Sequence, residues 1–232
     1  QLREGALTYL AAQAGELASK PGSFRTLINV LKRGMKDKVA NVFLTSLTAF
    51  QSIVDTYVAT GGREVHGACE SVIPLLVEKL GDANARLREA AKDALVALAG
   101  LKESGLKSAT AAFLKPVKNQ NAWRLILGLL QLLQELVPSL GISKSGDGFD
   151  LGELMEFVGK AYSNSNADVR AAAVRVTREV YDLVGVAMKK YLPKDISPKI
   201  KEQIETLLEA DGGLAAAPPP MAAPPPQQRS AP

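Results

Sequence analysis

The chain has 232 residues, 47% of them hydrophobic and only 5% aromatic, which gives enough apolar mass for one continuous core but a poor supply for a sandwich or barrel of sheets. A net charge of +4 and a pI near 9.1 favour an acidic partner without demanding nucleic acid. The single cysteine, Cys69, excludes an internal disulfide framework and suits a reducing compartment, and no run reaches transmembrane length.

In chain order, the first element is an amphipathic helix carrying Leu2, Gly5, Ala6, Tyr9 and Leu10. It opens mid-pattern at Gln1, so the chain reads as part of a longer protein, with its first repeat truncated. After Pro21-Gly22, a helix from Phe24 to Leu31 is followed across a short polar turn by a second with Val39, Val42, Phe43, Leu47 and Phe50 on its stripe. Gly61-Gly62 separates this pair from the next. That pair is Ile73 to Leu80, with Pro74 expected in its first turn, then a helix with Leu87, Ala90, Ala91, Ala94, Leu95 and Leu98. A further pair comprises Leu106 to Val117 and a stripe of Ala122, Leu125, Ile126, Leu129, Leu130 and Leu133. Gly146-Asp147-Gly148 has neither P-loop nor EF-hand spacing and reads as a flexible connection. The last pair is Leu151 to Tyr162, then Val169, Ala172, Ala173, Val176 and Val180. Ser197-Pro198 reads as a cap opening a final helix to about Glu209, and residues 211–232, mostly Ala, Pro and Gln, read as a linker or tail.

The five stripes share offsets near 0, 3, 4, 7, 8 and 11, and their starts recur at intervals of roughly 35 to 48 residues, the range of HEAT-type helical pairs. The expected fold is therefore all-α, a HEAT-repeat solenoid of about five to six helical pairs over residues 1–210. Asp37, Asn84, Asn121 and Asp168 stand just before second helices and are expected to cap them. Stacking places the turns inside successive pairs along one edge. The region after Gln1, then 36–41, 82–88, 118–124 and 163–170, thereby becomes a single row.

At these turns the sequence resembles a TOG domain, the HEAT-repeat tubulin-binding module of microtubule polymerases and CLASP proteins. The residues that carry the resemblance are Leu2-Arg3-Glu4-Gly5-Ala6-Leu7, Asp82-Ala83-Asn84-Ala85-Arg86-Leu87-Arg88 and Asp168-Val169-Arg170-Ala171-Ala172-Ala173. The Ala-Arg-Leu-Arg stretch after Asp82 and the pair Val180-Tyr181 are most similar to the ciliary-tip centrosomal type of this domain. Two departures stand out: no Trp occurs in the first turn, and Ala122-Trp123-Arg124 shifts the Arg of the fourth repeat.

The resemblance implies αβ-tubulin or microtubule ends as partner, with other modules of the parent protein supplying avidity. It also implies a place in the cytoplasm at the cytoskeleton: cilium tip, centriole or centrosome. The implied contact residues are Arg3, Lys36, Lys38, Asn41, Asn84, Arg86, Arg88, Lys118, Asn121, Arg124, Asn166 and Arg170. Charge makes this physically sensible, because 32–41 holds four cations against Asp37 and 115–124 holds three with no acid. Ordinary solvated charge at helix ends explains the same residues less specifically. Arg88 and Arg170 also fit pairing with a neighbouring repeat, and Trp123 fits packing. His66 and Cys69 are two potential ligands where zinc needs four, so no metal is implied, nor any cofactor, membrane or small-molecule substrate. No nucleophile, base or acid constellation suggests an enzyme. Two other readings remain compatible: a HEAT scaffold for a different protein or peptide, and an array gripping a DNA backbone, which the small charge excess disfavours.

Overall fold

The computed structural model describes residues 2–18, 22–58, 62–117, 119 and 122–209. The proposed tail at 211–232 and the turn residues Lys118 and Asn121 lie outside them. Ten α-helices are described: α1 (Leu2–Ala12), α2 (Ala14–Ala18), α3 (Ser23–Met35), α4 (Ala40–Val58), α5 (Gly62–Lys79), α6 (Ala85–Ala99), α7 (Trp123–Leu140), α8 (Leu151–Ala161), α9 (Ala167–Val184) and α10 (Pro198–Glu209). Three 3-10 segments, Lys102–Ser104, Leu106–Ala112 and Gly185–Tyr191, complete the order.

Helices α1, α4, α6, α7 and α9 pack successively on one another and form one layer. Their stripes are wide because each is covered from several sides. In α7, Ile126, Leu129, Leu130, Leu133, Leu136 and Val137 are all buried, and in α9 so are Val169, Ala172, Ala173, Val176 and Val180. Helices α3, α5 and α8 with the middle 3-10 segments form the second layer, and α10 packs on α9. Small residues allow close approach between neighbours. A Cβ on Gly128 of α7 would stand 2.7 Å from the carbonyl oxygen of Leu80, so only glycine lets α7 lie against the end of the α5–α6 turn.

Several sequence expectations are corrected. The stripe of α1 is rotated: Leu7 is buried, whereas Leu2 and Tyr9 are 93% and 66% exposed. Helix α5 begins at Gly62, so Pro74 lies in its interior rather than its first turn. The ring of Pro74 is exposed there, and its missing N–H costs one helical hydrogen bond. The stretch 106–117 is a 3-10 segment followed by irregular chain, not an α-helix. Its polar groups are bound elsewhere: Thr110 Oγ1 donates to the carbonyl of Gly148 at 2.7 Å, and Gly148 N–H donates to the carbonyl of Lys107 at 3.1 Å. The same bonds make 141–149 a clamped loop rather than a flexible connection. Ile142 bridges Phe149, which is fully buried, and Gly148 both takes φ 138°, which L side chains rarely adopt, and leaves no room for a Cβ, which would lie 2.8 Å from the carbonyl oxygen of Gly141.

Candidate functional site: a row of turns along one edge

Helices α3, α5 and α8 hand over to α4, α6 and α9 through short turns, and these three turns share one hydrogen-bond template. Asp37 Oδ1 accepts from Val39 N–H at 2.9 Å, Asp82 Oδ1 from Asn84 N–H at 2.9 Å, and Asn164 Oδ1 from Asn166 N–H at 2.9 Å. These side chains mimic a backbone turn and fix the direction from which the next helix starts. Asn84 and Asn166 then cap α6 and α9, accepting from Arg86 N–H at 3.0 Å and from Asp168 N–H at 2.8 Å. The expected cap Asp168 is instead the second residue of α9, and Asp37 acts two residues before the cap position of α4, which Val39 occupies.

The turns adjoin one another. Arg3 at the start of α1 forms an ion pair with Asp37. Lys79, at the end of α5, places its ammonium 5.5 Å from the ring centroid of Phe43 and 3.0 Å from Asp82. A Cβ on Gly81 would meet Leu125 of α7 at 3.0 Å, and Ile126 and Asn164 line one groove between the α7 and α9 turns. Among the described residues, the row inferred from stacking is thus a continuous edge.

Along this edge the expected residues divide into two groups. Arg3, Lys36, Lys38, Asn41, Asn84, Arg86 and Arg124 are exposed. Lys36, Lys38 and Arg86 have no carboxylate partner among the described residues. Arg124 lies over the half-buried ring of Trp123, 4.5 Å from its centroid, which orients the guanidinium at the mouth of the fourth turn. Because α7 begins at Trp123, Arg124 holds the second helical position, as Arg86 does in α6, while Ile126 stands at the fourth position, which Arg88 and Arg170 hold in α6 and α9, so the shift seen in the sequence persists in the fold.

Arg88 and Arg170 face inward instead. Arg88 Nη1 donates to the carbonyls of Asp82 and Ala83 at 2.9 and 3.0 Å, and Arg170 Nη1 to those of Asn164 and Ser165 at 2.7 and 2.9 Å. Each binds its own turn, not a neighbouring repeat. Asn166 is likewise committed to backbone donors.

Burial by itself would push the Asp82 carboxyl up, but the Asn84 N–H, Lys79 and Arg88 outweigh it and hold the carboxyl below its ordinary value. Val39, expected on the α4 stripe, is 42% exposed between Lys38 and Ala40 and gives the second turn an apolar surface. Its place one residue before the helix start was the signal. His66 and Cys69 do not converge: His66 is exposed against Gly105, while Cys69 is buried and its thiol pushed up to about 11 by that burial.

Two layers of helical pairs with an edge of capped intra-pair turns define a HEAT-type array of the TOG kind. The structure of the human Cep104 TOG domain superposes with a TM-score of 0.74 at 27% identity, covering 91% of this chain and 86% of that one. The TOG domain of C. elegans Zyg9 has the same fold, with a TM-score of 0.72, 21% identity and coverage of 90% and 76%. The family profile described as "Centrosomal protein CEP104, TOG domain" matches residues 6–176, and the chain belongs to that family. Human centrosomal protein of 104 kDa is 29% identical over 179 residues, which are 75% of this chain and 19% of the relative, so the chain spans about a fifth of that protein's length.

Proposed function

We propose that this chain binds αβ-tubulin through the edge formed by its intra-pair turns, with Lys36, Lys38, Arg86 and Arg124 making the polar contacts and Val39 an apolar one. The carrying observation is that exposed cations occupy successive adjoining turns of one edge, in a chain whose family is defined by the TOG domain. Asn41 and Arg3 flank these contacts, and Lys118 and Asn121 belong to the same row by sequence. Arg88, Arg170, Asn84 and Asn166 act as positioning residues that hold the turns in shape. Basic turns meeting an acidic surface give fast encounter and salt-sensitive affinity. The parent is read as a microtubule- or ciliary-tip-associated protein of the cytoplasm, at the cilium tip, centriole or centrosome, in which this array is one module among several. No observation favours a DNA backbone or a different protein as occupant of this edge. Gel filtration of the chain mixed with purified αβ-tubulin tests the reading: co-elution supports it, and separate elution at micromolar concentrations refutes it.

A further inference from the structure

The chain after α9 returns to the same edge. Tyr191 Cε1 lies 3.7 Å from where a Cβ on Gly152 would stand, near the start of α8. Pro193 packs flush on Gly159, where a Cβ would be 2.7 Å from its Cγ. Asp195 and Ile196 then share a groove with Tyr162 and Ser163, the first residues of the α8–α9 turn. Residues 191–196 therefore run along α8 in its own direction, from the far edge to the turn edge, in place of a second-layer helix.

From there α10 sets out beside α9. Arg178 Nη1 donates to the carbonyl of Leu207 at 2.7 Å, and Ile200 and Ile204 are buried. Arg178 is the twelfth residue of α9 (167 to 178) and Leu207 the tenth of α10 (198 to 207). At 1.5 Å per residue these lie about 17 and 14 Å from their helix starts, so the two parallel helices begin nearly level. Ser197 caps α10, accepting from Ile200 N–H at 3.4 Å. The segment 192–198 is thus a sixth turn beside the fifth.

Charge makes this turn more than a structural echo. The fifth turn offers Ser163, Asn164, Ser165, Asn166 and Asp168, with Arg170 tied inward, so it presents no free cation to a partner. Lys194 and Lys199, the latter at the second helical position held by Arg86 and Arg124, are exposed and without a carboxylate partner among the described residues. Asp195 is the one acid between them. We propose that the sixth turn extends the proposed edge and that Lys194 and Lys199 engage an acidic surface of the same partner beyond the fifth turn. This rests on the proposed tubulin-binding reading and adds to it a contact at the array's end.

The test is affinity of the whole 232-residue chain for purified αβ-tubulin across a salt series, for wild type and four variants: K194E/K199E, K194A/K199A, K189E/K190E and K36E/K38E/R86E. Lys189 and Lys190 carry identical charge in the 3-10 segment after α9, at the opposite edge. K194E/K199E is expected to bind about threefold to fivefold more weakly with a shallower salt dependence, and K189E/K190E to stay within about twofold of wild type. K194A/K199A, which introduces no new charge, gives a smaller loss in the same direction. Wild-type affinity in K194E/K199E alongside impaired K36E/K38E/R86E overturns the sixth turn and leaves the other turns standing. Equal losses in K189E/K190E reduce the effect to net charge and overturn it too. Absence of tubulin binding by wild type removes the underlying reading itself.

Discussion

Arg88 donates from Nη1 to the carbonyl of Asp82, six residues earlier, at 2.9 Å, and so braces the third turn from within. Two positions before it, Arg86 is exposed on the same helix with no carboxylate partner among the described residues. Two residues of one turn thus divide the bracing role from the proposed binding role. Arg88→Ala is expected to cost about 1–2 kcal/mol, since two carbonyls lose a charged donor. Melting should fall by about 2–6 °C. Arg86→Ala should leave melting unchanged and weaken tubulin binding. Unchanged melting in Arg88→Ala would show that its bonds are incidental to the turn.

How much of this was readable beforehand follows from the residues concerned. The first-layer helices announce themselves because packing from several sides demands stripes such as Ile126, Leu129, Leu130 and Leu133. The break at 106–117 was hidden, because its apolar spacing mimics a helix while the bonds that divert it come from Gly148, about 40 residues on. Pro74 misled for a related reason: an exposed ring in a long helix is tolerated when flanking turns are well packed. At the edge, the cationic turns were legible from composition alone. What composition withholds is direction, so Arg86 and Arg88 look alike until the carbonyls of Asp82 and Ala83 are in view. The sixth turn is not legible in the sequence because 191–196 has no apolar periodicity.

Gly128 reports on the seam between the third and fourth turns. Gly128→Ala forces a Cβ to within 2.7 Å of the Leu80 carbonyl oxygen, and the backbone there has little room to yield. A destabilisation of about 1–3 kcal/mol is expected. Gly67→Ala is the contrast: nothing lies within 4 Å of its Cβ position on the exposed face of α5, so higher helix propensity should stabilise by about 0.5–1 kcal/mol. Chemical denaturation of both variants checks the pair, and loss of stability in Gly67→Ala would contradict the packing described.

The fifth turn is anchored by a buried hydroxyl pair. Tyr162 and Thr177 are hydrogen-bonded, and Thr177 Oγ1 donates onward to the Ala173 carbonyl at 2.9 Å, so the phenol is the donor between them. Burial pushes the Tyr162 phenol up to about 12, and it stays neutral. Thr177→Val strands the phenol and should cost about 1–3 kcal/mol, whereas adding Tyr162→Phe should recover part of that loss. Strictly additive losses in the double-mutant cycle would argue that the two groups do not interact.

Acid should loosen the third turn. The Asp82 carboxyl is held below its ordinary value of 3.8, so its contribution to stability is complete above that value and lost as pH falls through the lower folded value. Asp82→Asn keeps the acceptor for Asn84 N–H but removes the titration. Between about pH 4 and pH 2 its stability should therefore change less steeply than that of wild type. Parallel acid-unfolding curves would contradict the assignment.

The central claim is most directly tested by the affinity of K36E/K38E/R86E for purified αβ-tubulin, set beside K102E/K107E/K189E. The first set lies on the proposed edge, and the second removes the same charge from exposed positions away from it. Each reversal is at a solvent-facing site, so melting should shift little in either variant. At least a tenfold loss is expected for the edge variant, about 1.4 kcal/mol, with a change under about twofold in the other. Equal affinities for both variants, whether reduced or at the wild-type level, would contradict binding through this edge.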